Sequence, residues 1–159
     1  MRGRALVAVG LTMLACRTVP RIPAFHAYVS DGHTRREIDT EHRPELERAL
    51  LAVLSSCAVD SSASAGTADD WRTAEAGPAI VAHYTGPDPV ATVQGEIEID
   101  SIVFPLPSPD TILARRADTI YAFSKWSPRL EARLVCAPHL GLEHYARIRA
   151  LCDALGEDE

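Results

Sequence analysis

The chain has 159 residues, with 16 Lys and Arg against 22 Asp and Glu, and a formal charge of −6 at neutral pH. That length is enough for one domain with its own core. The acidic balance leaves no electrostatic footprint for nucleic acid, and nucleic acid is excluded as a partner on that ground.

The first sixteen residues read MRGRALVAVGLTMLAC. Arg2 and Arg4 form a positive start, and Ala5 to Ala15 form an uncharged, mostly apolar run of eleven residues. Such a run is a signal h-region, too short to span a bilayer as a helix. Its end, Thr12-Met13-Leu14-Ala15-Cys16, resembles the lipobox of bacterial lipoproteins, with Met13 and Leu14 as departures from the family's commoner residues. The resemblance implies cleavage after Ala15 and acylation of Cys16. It therefore implies a membrane attachment through lipid on Cys16 and a place in the cell envelope. Met13 argues against an ordinary secretory cleavage site, and Arg17 and Arg21 argue against an uncleaved membrane helix. Arg17 stands where many Gram-negative lipoproteins carry an inner-membrane retention Asp, so the outer membrane, facing the periplasm, is expected over the inner. Loss of residues 1–15 removes Arg2 and Arg4, leaving 14 basic against 22 acidic residues and a formal charge of −8. Anionic headgroups repel such a chain, so the acyl chains must hold it.

Residues 16–23 form a tether, extended by Pro20 and Pro23, and residues 24–155 are expected to form a single domain. Phe25 to Val29 alternates, Asp31-Gly32 marks a tight turn and Thr34 to Ile38 resumes, which predicts a β-hairpin. A helix follows from an N-cap at Asp39 or Thr40 to about Cys57, with Leu46, Leu50, Val53, Leu54 and Cys57 on one face. Residues 59–77 read as a long loop, with Trp71 pinning it to the core. Strands are expected at Ala79–Tyr84 and Val90–Val93, separated by a turn at Gly86-Pro87-Asp88-Pro89. Gly95 then marks a bulge before a strand at Glu96–Phe104. Thr111–Ala114 and Thr119–Ser124 form another strand pair. Ser127-Pro128 starts a short helix that Pro138 ends, and Leu142, Tyr145, Ile148, Cys152 and Leu155 give the last helix its face. Strands clustered in a run, without strict βα alternation, predict an α+β fold. It has a mainly antiparallel sheet of about five to seven strands packed with two or three helices. The layout over Phe25–Leu54 and Ile102–Leu134 is similar to that of small uncharacterised bacterial lipoproteins, a likeness that implies no activity.

With Cys16 acylated, three thiols remain: Cys57, Cys136 and Cys152. Export to an oxidising compartment favours one disulfide and one leftover thiol. If the last two helices form a straight hairpin turning at Ala137–Gly141, Cys152 lies on the order of 15 Å from that turn, which favours Cys57 as one partner. A looser hairpin restores Cys136–Cys152, and the pairing stays open.

Candidate chemistry is sparse. Cys136-x-x-His139 with His144 and Cys152 has metal-ligand character, but the spacing of the two histidines places them on different helical faces, so no metal is assigned. Glu96, Glu98 and Asp100 share one strand face about 7 Å apart in succession, which is also what a solvated strand face requires. No nucleophile motif or phosphate loop is present, and no catalytic residue or cofactor is assigned. Tyr121, Phe123, Lys125 and Trp126 form the densest aromatic cluster and the candidate ligand surface, with core packing as the competing reading. The expected function is a non-enzymatic, lipid-anchored module that binds or supports an envelope protein or cell-wall component. A periplasmic hydrolase or metal-dependent enzyme is the alternative.

Overall fold

Alternation of apolar and polar residues produces the first strand. Phe25, Ala27 and Val29 are buried, and His26 points to the opposite face. The computed structural model describes residues 24–59, 66–92, 95–106, 111–124 and 126–157. Ala15, Cys16, the tether and Lys125 lie outside the described residues, as does most of the first half of the expected 59–77 loop. Strand β1 (Phe25–Asp31) turns through Gly32, whose φ of +92° suits glycine, into β2 (Arg35–Glu37). The Asp31 carboxylate ties the turn by accepting the His33 and Thr34 amides at 2.8 and 2.7 Å.

Helix α1 (Arg43–Ser55) buries Leu46, Leu50, Val53 and Leu54, the stripe expected at helical spacing. It starts later than the sequence suggests. The chain first turns through Asp39–His42, with the His42 amide donating to Asp39 O, and His42 takes the N-cap without a side-chain bond. Strand β3 (Ala58–Val59) follows. The second half of the expected loop is instead helix α2 (Ala68–Ala76), closed by a reciprocal capping box between Thr67 and Asp70. Strand β4 (Pro78–Thr92) is continuous where a turn is expected. Between the pairs His83–Ser101 and Asp88–Ile99, β4 carries four residues, Tyr84 to Pro87, against Asp100 alone on β5 (Gly95–Pro105). The Gly-Pro-Asp-Pro segment is thus taken up by a bulge rather than a reversal. Gly95, expected as a bulge, pairs with Thr92 at the end of the β4–β5 hairpin, with φ +129°.

Strands β6 (Ile112–Arg116) and β7 (Thr119–Ser124) form the next hairpin, followed by α3 (Pro128–Val135), a 3₁₀ turn at Pro138–Leu140 and α4 (Ala146–Glu157). Among the described residues the seven strands form one antiparallel sheet in the order β2-β1-β4-β5-β6-β7-β3, with four α-helices. This is the expected α+β class, with α2 as the added helix. The ends of β4 and β5, Asp88–Thr92 and Gly95–Ile99, project as an arm past the last pairs with β1 (at Tyr84) and with β6 (at Ser101).

Two apolar layers flank the sheet. On one face Leu50, Val53, Leu134 and Ile148 pack against Phe25, Ile80, Ile102, Phe104 and Phe123. On the other, Trp71 of α2 covers Ala79, Val81, Val103, Leu113 and Ile120.

Candidate binding face

Sheet register decides what the α2 face offers. Tyr28, Val81, Val103, Leu113 and Ala122 are successive cross-strand partners, a mainly apolar row belonging to the cluster around Trp71. The next row is His26, His83, Ser101, Arg115 and Ile120. Four of its five members are polar, so the α2 face changes character within one pleat. Glu75 of α2 sits over the boundary, accepting the Tyr28 hydroxyl at 3.2 Å and the Trp71 indole N–H at 3.1 Å. Arg35 stacks over Tyr28 at 4.9 Å and Arg115 over Trp71 at 4.5 Å. Burial and then the Glu75 charge push the Tyr28 phenol up.

Ser101 is the buried centre of this row, at 3% exposure. Its hydroxyl donates to Asp100 Oδ1 at 2.9 Å, so its lone proton is committed there. His83 Nδ1 lies 3.2 Å from Ser101 Oγ, and with the hydroxyl proton directed at Asp100 the complementary assignment puts the His83 proton on Nδ1. Burial holds the His83 imidazole below its ordinary range. Arg115 and Arg35 act the same way, while Glu75 and Asp100 oppose them. Asp100 Oδ2 accepts the Ala117 amide at 2.8 Å, bracing a β6–β7 turn in which Ala117 has φ +50°. The three residue types are those of an acyl-transfer triad, but the connectivity differs. A triad places the imidazole between serine and carboxylate to accept the serine proton. Here serine lies between the other two and donates to the carboxylate, so the imidazole does not bridge serine and carboxylate. The network orders the face, tying β4, β5 and the β6–β7 turn together. Beside it, Trp71, Arg72, Arg115, Asp118 and Ile120 line an open cleft of about 450 Å³ between α2 and the β6–β7 turn.

The residues singled out from sequence are dispersed. Phe123 is fully buried in the helix-side core, where half-buried Tyr121 also packs. Trp126 lies 6.1 Å from the Phe104 ring and donates to Glu131 Oε2 at 3.2 Å. Phe123 therefore belongs to the core rather than to a ligand surface. Glu98 and Asp100 meet arginines: Arg116 Nε lies 3.5 Å from Glu98, and Arg115 and Arg116 each lie 3.9 Å from Asp100. Glu96 is exposed.

The structure decides the open cysteine pairing in favour of the looser hairpin. Cys136 and Cys152 are bonded, with Cα atoms 5.6 Å apart, and Cys57 is the free, buried thiol. The straight-hairpin geometry fails because α4 begins at Ala146 rather than near Leu142. The longer connection carries α4 back until its second turn passes the α3 C-cap, Cys136. Bridging also removes both sulfurs from the Cys/His set. His144 turns to Gly141 O at 3.1 Å, and His139 stacks on His42 with centroids 4.4 Å apart. Burial and then the His42 charge hold His139 below its ordinary range. Asp39, Glu41 and His42 bring one donor atom each within 4.8 Å of one another, although both carboxylates are exposed.

Sequence reading missed Glu75, His83 and Ser101. Only Thr67-x-x-Asp70 signalled the helix that delivers Glu75, and the histidine–serine pair needs the β4–β5 register, which no local pattern encodes. No family model matches the chain, and no similar curated protein or solved structure was found.

Proposed function

We propose that the chain is a lipid-anchored envelope protein, attached through Cys16, whose domain is a non-enzymatic binding or structural module. The Cys136–Cys152 disulfide carries this reading. Bridges of this kind persist in oxidising compartments, which is where the Met1–Cys16 signal sends the chain. The closed hydrogen-bond connectivity at Ser101 supports a binding role over nucleophilic chemistry. The row running from His26 to Arg115 and the adjoining cleft are the surface offered to an envelope protein or cell-wall component.

The test is the intact mass and fractionation of the protein expressed in a Gram-negative host. The expected product has lost residues 1–15, gained acyl mass at its new terminus and sediments with outer membranes. Cys16→Ser releases it to the soluble fraction. A Cys16→Ser protein that stays membrane-bound, with no lipid mass lost relative to wild type, overturns the reading.

A further inference from the structure

Helix α4 is joined to the molecule differently from α1. Helix α1 buries four side chains, whereas Ile148 is the one fully buried side chain of α4, with Leu151, Cys152 and Leu155 only half-buried. Its polar attachment is an ion pair from Arg147 to Glu131 of α3. Its covalent attachment is Cys136–Cys152, which spans 16 positions of sequence. Both bridged cysteines are half-buried and form part of the wall of an open cleft of about 310 Å³, with Val135, Pro138, Glu143 and Ile148. The disulfide can therefore be reached from solvent. Cys57 cannot take part: it is fully buried, its thiol donates to Val53 O, and burial pushes it up to about 11.

We propose that Cys136–Cys152 is a redox latch, opened by a dithiol reductant, that holds α4 to an otherwise self-supporting core. One reductant thiolate attacks the sulfur of one cysteine, the S–S bond breaks and the other cysteine leaves as a thiolate that takes a proton. The reductant's second thiolate then attacks the mixed disulfide and frees the first cysteine as a thiol. Two electrons pass from the dithiol to the protein, and the reductant leaves as a disulfide. The sheet, α1, α2 and α3 supply nearly all the buried side chains of the two cores, to which α4 adds Ile148. Helix α4 loses the restraint that made its few contacts sufficient, and Ile148, which lines the cleft with Val135, opens to solvent. The latch rests on the disulfide alone, so a failed Cys16 acylation leaves it standing.

Hydrogen exchange followed by mass spectrometry on the full chain tests the latch, comparing oxidised protein, protein reduced with dithiothreitol under native conditions, and Cys136→Ser/Cys152→Ser. Closing a loop of this size restrains the open form by about a hundredfold, so amides of 146–157 are expected to exchange faster by that order. Amides of β1, β4, β5 and α1 keep their protection, and alkylation labels Cys136 and Cys152 but not Cys57. The proposal is overturned if α4 keeps its protection after reduction, if all elements lose protection together, or if the bridge resists dithiothreitol until the protein unfolds.

Discussion

Trp71→Ala tests how one side chain fastens a whole helix. Trp71 is 2% exposed and is the buried residue of α2, so truncation leaves the helix without an apolar anchor. The cavity lies over Ala79, Val81, Val103, Leu113 and Ile120, each at most 5% exposed. Large-to-small changes of this kind cost about 3–5 kcal/mol. At roughly 2–4 °C per kcal/mol for a domain near this size, the melting temperature should fall by about 6–20 °C. Trp71→Phe keeps most of the ring and loses the N–H donated to Glu75, a cost of about 1–3 kcal/mol. Thermal unfolding by circular dichroism gives the shifts. The chain has 2 tryptophans, so both variants leave Trp126 as the sole indole, seated against Phe104 in the opposite layer. Its emission before the transition should match that of the same indole in the folded protein, because the helix-side core is untouched. A shift under about 3 °C for Trp71→Ala, or a loss no larger than that of Trp71→Phe, refutes the pinning argument.

Three further outcomes follow from local geometry. Thr67→Ala removes the acceptor for the Asp70 amide and should cost about 1 kcal/mol, read as a lowered denaturation midpoint with unchanged slope. Asp31, held down to about 2 by the Thr34 and His33 amides, should titrate near that value by NMR. Because its folded value is depressed, its contribution is present above pH 3.8 and fades as pH falls towards 2; Asp31→Asn should be less sensitive across that window. His83 is also depressed, but it is a base, so folding favours its neutral form. Stability should fall as pH drops below 6.5, and the His83 ring should titrate below that of an exposed histidine, with its proton on Nδ1 when neutral.

Legibility followed the amount of burial each residue pattern reports. Helix α1 was readable because Leu46, Leu50, Val53 and Leu54 all reach the core and repeat at the helical period. Helix α2 buries only Trp71, so its periodicity is silent and its capping box was the available signal. Gly86-Pro87-Asp88-Pro89 has turn composition, and it does break regular pairing. Whether the chain reverses there or bulges depends on the partner strand, where Ile97 and Ile99 extend the apolar alternation opposite Val90 and Asp88. The disulfide depended on where α4 starts, a shift of a few residues that moves Cys152 along the helix axis. The polar row on the α2 face needs the register of five strands at once, information that is distributed over sequence separations no local pattern spans.

The boundaries of the sheet bear on how the protein behaves in a crowd. Unpaired strand edges are templates on which another chain can anneal. Strand β2 presents three exposed charged residues, Arg35, Arg36 and Glu37, and β3 spans two of the described residues. In the bulge and along the projecting arm, Pro87 and Pro89 remove amide donors from β4, while Glu96 and Glu98 place like charges along β5. Each edge thus carries a feature that discourages intermolecular pairing. Tethering in a membrane plane would raise encounters between copies far above those in free solution. Blunted edges of this kind would let such a protein accumulate there at high density without polymerising.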